Sequence, residues 1–410
     1  MLIRDWLGKA KVVLTTYETL RDLEFSLARQ KWSVIVCDEA QKIKTPNAMV
    51  TRAAKKQNAR FRIACTGTPV ENTLTDLWCL FDFIQPGLLG SLQDFGNRYR
   101  RPIEAETDEE RARVEELRRL IEPQKLRRTK ADVAKDLPFK IVDPACRAIA
   151  ISERQRAYYA NAVSQFKQGT AGRCATPLQN QLGLLQYFRA LCSDPRPPGP
   201  YSCDPQPLAA LEQNSPKLKW LLAELVRIRA RSEKAIVFCE FKELQRILQR
   251  AIQERTGVVA DIINGDSSAA PERTDSRQKR IKRFQQAAGF GVIILSPLAV
   301  GSGVNMQAAN HVIHFTRTWN PAREDQATDR AYRIGQTKDV FVYYPVIVAQ
   351  DFVTFDAKLD QLLEIKRKLS QDMLNGCGDV GPADFSDLQE AGGSFASVTD
   401  HWSASPALVR

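Results

Sequence analysis

Two carboxylates and an amide, Asp38-Glu39-Ala40-Gln41, stand directly after the apolar run Val34-Ile35-Val36-Cys37. Such a run suits a strand buried on both faces, and ligands of open α/β sheets sit beyond the carboxyl ends of strands. A carboxylate there is able to hold Mg²⁺ beside a nucleotide phosphate while its neighbour orients or deprotonates the attacking water. The same four residues also suit a helix N-terminus that favours acidic side chains. A second cluster, Thr66-Gly67-Thr68-Pro69 with Glu71 and Asn72 behind it, follows the run Arg62-Ile63-Ala64-Cys65. Small hydroxyls and a glycine at a strand end suit a loop that senses phosphate state, and equally a plain turn with an N-cap.

Further along, Trp319-Asn320-Pro321 precedes a segment in which Arg330 and Arg333 are three residues apart. On a helix they share one face and both reach a phosphate. An arginine given by one domain to a nucleotide on another is typically worth ~10³–10⁵ in rate. A salt-bridged solvent face is the alternative, because Glu324 and Asp329 are close by. Leu295 to Asn305 reads as a strand running into a Gly/Ser loop, where Gly301 and Gly303 let backbone amides approach a phosphate. The stretch from Leu126 to Val133 carries Arg127, Arg128 and Lys130, a basic helical segment suited to a polyanion or simply to solvent.

The elements that must position these groups alternate strand and helix. Strands are expected at Val12–Thr16, Val34–Cys37 and Arg62–Cys65, with a helix over Thr51–Arg60. From Asp94 to Asp136 Arg, Glu and Leu dominate, and the strand signal disappears. Ser193 to Pro207 is proline-rich and reads as a linker. Five more strands are expected at Ala235–Phe238, Val258–Ile263, Val292–Leu295, Val312–Phe315 and Val340–Val346. A closing amphipathic helix is expected over Phe352–Met373, and the Gly/Ser/Asp-rich remainder reads as loose. The expected domains are therefore 1–93, a helical insert at 94–192, a linker at 193–207, a second α/β domain at 208–350, a helix at 351–374 and a tail at 375–410.

The chain has 410 residues, enough for two or three domains with large cores. No stretch approaches the ~18 consecutive apolar residues of a membrane helix, and the start lacks a secretory pattern. The nine cysteines include no Cys-x-x-Cys pair, which excludes a zinc-ribbon spacing and fits a reducing, intracellular compartment. Lysine and arginine total 59 against 48 acids, a net charge of +11 that permits a polyanion partner.

In order, VVLTTYETL, VIVCDEAQKIK, ACTGTPVEN, LRRTKADVAKDLP, IVFCEF, ILSPLAVGSGVNMQAANHVIHF and WNPAREDQATDRAYRIGQ resemble the Swi/Snf family of helicase-like DNA translocases in helicase superfamily two. The resemblance covers about Lys11 to Pro345. It implies an α/β fold of two RecA-like lobes with parallel sheets, the first lobe incomplete, and a helical insert between them. It implies ATP and Mg²⁺ as cofactors, duplex DNA as partner, and a motor that moves along DNA without parting its strands. Asp38 and Glu39 then bind Mg²⁺ and position water, Arg330 and Arg333 are arginine fingers, and Gln41, Thr66, Gly67, Thr68, Gly303, Asn305 and Gln326 couple to the nucleotide. Arg127, Arg128, Lys130, Ser296 and Gly301 face nucleic acid. Pro297-Leu298, Val300 and Ser302 depart from the family pattern.

The larger departure is that no G-x-x-x-x-G-K-[ST] occurs, the nearest text being Gly8-Lys9-Ala10. This chain is expected to begin after the phosphate-cradling loop, so that a longer or separate polypeptide supplies it. Alone, the chain is expected to be inactive, and a non-hydrolysing remnant with weak DNA binding is the alternative. The strands at 12–16 and 34–37 are then expected to show an unpaired edge and uncovered apolar surface. A bacterial protein of this kind belongs in the cytoplasm with the nucleoid, a eukaryotic one in the nucleus.

Overall fold

The computed structural model describes residues 10–67, 70, 73–104, 110–128, 130–134, 136–167, 181–194, 207–267, 276–297, 304–369, 380–382, 384–385 and 407–409. The chain divides into two compact units, Met1–Arg127 with Ile365–Asp379, and Arg128–Glu364 with Val380–Arg410.

In the first unit, β1 (Trp32–Cys37) pairs in parallel with β2 (Ala59–Ala64) as a two-stranded sheet. Side chains alternate across a strand. Ile35, Cys37 and Ala64 therefore point to one face, where they pack with Ala54, Leu80 and Phe83 from the helices Met49–Lys55 and Leu74–Ile84. Val34 lies opposite Phe61, and Val36 opposite Ile63, on the other face. Those four are 48%, 61%, 58% and 37% exposed. The run Val34–Cys37, expected to be buried on both sides, is thus buried on one only. Its apolar continuity comes from a face that is open to solvent here. Residues 12–16, expected as a strand, form none, and Val12 and Leu14 are exposed. Below the sheet, Leu77, Phe95, Tyr99, Leu117 and Ile121 build a separate helical core.

The second unit holds a larger sheet. Its strands are β3 (Lys140–Asp143), β5 (Lys234–Phe238), β6 (Asp261–Ile263), β7 (Gly291–Leu295), β8 (His311–His314) and β9 (Val340–Tyr343). They lie in the order β3-β9-β8-β5-β7-β6, all parallel, with β11 (Ala407–Val409) antiparallel on the β3 edge. β5, β7 and β8 are buried almost throughout, as parallel strands covered on both faces must be. One face packs on helices Pro216–Ala230 and Lys242–Thr256. The other packs on helix Arg277–Gln286 and on Met306, Ala327, Ala331 and Tyr332. A satellite core joins helices Glu153–Lys167, Gln181–Ser193 and Phe355–Leu369, beside the short parallel pair β4 (Ile149–Ala150) and β10 (Ile347–Val348).

Three sequence expectations change. The insert at 94–192 is not one helical body, because β3 lies inside it and pairs with β9 of the second unit. Four residues bounded by Pro138 and Pro144 are too short to show a period in sequence. Ser193 closes a buried helix rather than opening a linker, while 195–206 lie outside the described residues. The tail is not loose where it is described. Val380 donates its N–H to the Trp319 carbonyl, and the Phe385 ring stacks on Phe355 at 5.2 Å.

Candidate active site

In the first unit the chain leaves β1 through Asp38 and β2 through Thr66, and the two exits stay bonded beyond the strands. Cys65 N–H donates to the Cys37 carbonyl and Ala40 N–H to the Cys65 carbonyl, each at 2.8 Å. Glu39 sits between them in the left-handed region, at φ 50° and ψ 49°. A non-glycine residue held there is strained, a cost that clusters at functional sites. Asp38 is exposed, and its Oδ1 accepts the Glu39 N–H at 3.0 Å. Gln41 Nε2 donates to Glu39 Oε2 at 2.6 Å, and Thr66 Oγ1 donates to Gln41 Oε1 at 2.8 Å. A single amide thus joins the carboxylate after β1 to the hydroxyl after β2. Tyr17 OH donates to the Asp38 carbonyl at 2.7 Å, and burial pushes its phenol up, so it stays a donor at working pH. Burial likewise pushes the Cys37 thiol up to about 11.

The chemistry of this corner suits a hard divalent cation. Asp38 offers an exposed carboxylate at a strand end, and Mg²⁺ takes one or two carboxylates with phosphate oxygens and waters. Among the described residues there is no group of three or more His, Cys, Asp or Glu side chains placed to cage a metal. Gly67 is exposed with open space around it, whereas Thr68, Pro69, Glu71 and Asn72 lie outside the described residues.

In the second unit, the segment after β8 forms a helix, Pro321–Thr328, capped by the Asn320 side chain with proline at its first position. It ends at Asp329, and turns carry the chain through Arg330 and Arg333 to Gly335 at φ 97°. The two arginines therefore do not share a helix face. Arg330 is 8% exposed and Arg333 is open to solvent. A helix stopped at 328 leaves the spacing of three without its helical meaning, and only a left-handed residue at 335 completes the turn.

This loop is held from several sides. Gln336, 6% exposed, donates to the carbonyls of Gln307, Ala309 and Ala331 and accepts the N–H groups of Thr337 and Lys338. The Arg330 carbonyl takes the Met306 N–H at 2.9 Å. His314 Nε2 meets Thr328 Oγ1 at 2.9 Å. At the helix start Arg317 forms a fork on Glu324, at 2.8 and 2.9 Å, and a further bond to Asp360, all three side chains being buried. Lys130 ion-pairs with Asp329 and donates to the Tyr332 carbonyl.

The remaining candidates are dispersed. Ser296 is 9% exposed at the end of β7, its N–H bonded to the Ile263 carbonyl. Asn305 is exposed and accepts on its carbonyl from Gln285 Nε2. Gln326, Arg127 and Arg128 are exposed. Gly301 and Gly303 lie outside the described residues, as do Pro297's successors Leu298, Val300 and Ser302. Sequence reasoning left out Tyr17 and Gln336. Both stand inside motif text, but nothing in their type or spacing announces a carbonyl bond or a five-bond clamp.

The SNF2-related domain family matches residues 1–197, and the helicase conserved C-terminal domain family matches residues 216–335. A SWI2/SNF2 ATPase core of Sulfolobus solfataricus, solved in complex with dsDNA, is 31% identical; the match covers 95% of this chain and 75% of that one, with a TM-score of 0.44. The chain belongs to the SNF2 family. Its fold is α/β, with six parallel strands in the second unit. Zorya protein ZorD of Escherichia coli O139:H28 is 54% identical over 390 residues, 94% of this chain and 35% of ZorD. The putative ATP-dependent helicase/translocase YwqA of Bacillus subtilis is 35% identical over 387 residues, 93% of this chain and 40% of YwqA. The chain spans between a third and two fifths of the length of these two SNF2-family relatives.

Proposed function

We propose that this chain is the C-terminal portion of an ATP-dependent duplex-DNA translocase, a motor that couples ATP hydrolysis to movement on DNA. The observation that carries the reading is the bonded series Glu39–Gln41–Thr66 at the carboxyl ends of two parallel strands. It ties a carboxylate able to orient water to a hydroxyl loop able to sense phosphate, which is what a coupled hydrolase needs. Asp38 is the residue to hold Mg²⁺, which when bound neutralises phosphate charge. Glu39 positions the water, while Arg330 and Arg333 stabilise charge on the phosphate. Gln326, Asn305, Gly67, Thr68 and Gly303 couple nucleotide state to the lobes. Arg127, Arg128, Ser296 and Gly301 meet DNA phosphates, in contacts that are sequence-tolerant and salt-sensitive.

The reading requires a phosphate-binding loop, which the test below supplies as a further α/β segment. Val34, Val36, Phe61 and Ile63 form an exposed apolar face of the kind such a segment covers. The relatives include a putative ATP-dependent helicase/translocase, a name that fits DNA as the partner.

The test combines the chain with a segment bearing a phosphate loop and measures DNA-stimulated phosphate release. Release well above that of either part supports the motor. Release at background, with both parts folded, favours the non-hydrolysing remnant.

A further inference from the structure

Lys130 stands in the basic segment that resembles a DNA-contacting motif, yet its ammonium is turned onto the arginine loop of its own unit. Nζ lies 2.5 Å from Asp329 Oδ1 and 2.9 Å from the Tyr332 carbonyl, which it reaches as donor. It also lies 5.2 Å from the centre of the Tyr332 ring, while Lys140 Nζ lies 5.8 Å from the same ring. An ammonium has three donors, and two are taken by these oxygens. Asp329 immediately precedes Arg330, and Tyr332 immediately precedes Arg333. One side chain, 202 positions from Tyr332 in sequence, therefore grips the loop just before each arginine.

We propose that Lys130 is a positioning residue for Arg330 and Arg333, and that the basic segment acts on the arginine loop rather than on DNA phosphate at this position. The inference rests on the reading of the arginines as phosphate-binding groups. The Lys130 and Asp329 side chains are 40% and 43% exposed, so their ion pair adds little to folding stability. Its consequence is geometric. Tyr332 is 5% exposed and anchored in the core against the sheet, while Arg333 beside it is exposed on a turn with no helix to stiffen it. Fixing the Asp329 carboxylate and the Tyr332 carbonyl from one cation limits how far the intervening turn rotates. A misplacement of about 1 Å in a catalytic group is able to cost roughly 10²-fold in rate.

The experiment compares Lys130→Ala, Lys130→Arg and Arg333→Ala in the DNA-stimulated phosphate-release assay, with DNA affinity measured across a salt series. Lys130→Ala is expected to lower turnover roughly 10- to 100-fold at saturating ATP and DNA. DNA affinity and its salt slope should stay as in the parent, and Lys130→Arg should recover most of the rate. In the chain alone, Lys130→Ala should speed amide exchange across 330–336 while leaving the melting midpoint in place. A salt slope lower by about one, with affinity lost and turnover at saturating DNA kept, would assign Lys130 to a DNA phosphate and overturn the proposal. Unchanged turnover and unchanged exchange would overturn it as well. Arg333→Ala separates the two layers: if it leaves turnover intact, the reading of the arginines fails. If it abolishes turnover while Lys130→Ala does not, only the positioning role fails.

Discussion

The carboxylate corner of the first unit and the arginine loop of the second are held by opposite means. The corner is built from near neighbours. Two strand exits, one left-handed residue and one glutamine amide place Glu39 against Thr66, on a two-stranded sheet with one apolar face exposed. The loop is built from distant residues. Met306 and Lys130 reach it from separate elements, His314 holds the helix end that leads into it, and Gln336 at its close bonds back to Gln307 and Ala309, over a six-stranded parallel layer. Local bonds set the corner's geometry even where the surrounding sheet is small. The loop lacks regular structure of its own and depends on the packed unit beneath it.

Substitutions that strike each region where it differs from the other sharpen this contrast. The largest effect is expected from Arg333→Ala, which should lower DNA-stimulated turnover by ~10³-fold or more, as for other arginine fingers, with DNA affinity changed far less. Equal loss of both in parallel titrations would make this arginine a DNA contact. Next, Arg317→Met removes the guanidinium fork from the buried Glu324 carboxylate and leaves the buried Asp360 with Arg147 alone. Removing one partner of such a group costs about 3–5 kcal/mol, and denaturant unfolding followed in the second unit should show it. A change under about 1 kcal/mol would mean that the loop does not depend on this network.

Gln41→Ala removes the amide between Glu39 and Thr66. Hydrogen bonds to charged groups are worth about 1.5–3 kcal/mol, so turnover should fall roughly tenfold or somewhat more, with the melting curve little altered. A loss of stability without a loss of rate would reduce Gln41 to a structural brace. The smallest effect is expected on the open sheet face. Phe61→Ser, at a side chain 61% exposed, should shift the chain's own stability by no more than ~0.5 kcal/mol, whereas Phe83→Ala, fully buried on the opposite face, should cost about 3–5 kcal/mol. Similar costs for the two phenylalanines would show that the outer face is covered in solution.

Residue type and order carried much of this in advance. The run Val34–Cys37 ahead of Asp38-Glu39 and the run Ala235–Phe238 both read correctly as strands, because apolar β-branched stretches have few alternatives. The same signal failed at Val12–Thr16, since composition cannot report whether a neighbouring strand is there to pair. It missed Lys140–Asp143, where four residues in the sheet owe their state to β9, 200 positions away. At the sites, the places of Asp38, Glu39 and Thr66 at strand exits were legible, whereas the fate of Lys130 was not. A lysine in a basic run looks solvated, and only the tertiary fold turns it onto Asp329 and Tyr332. Arg330 and Arg333 gave the reverse lesson, because a spacing of three implies a shared face only while the helix lasts, and it stops at Thr328.

The most direct test of the account is Glu39→Gln, which keeps the side chain's shape and its place beside Gln41 while removing the carboxylate that orients water. With the chain joined to a phosphate-loop segment, nucleotide binding should be unchanged and DNA-stimulated phosphate release should fall by roughly 10²–10⁴-fold. Release at nearly the parent rate would show that the corner after β1 does not carry the hydrolysis.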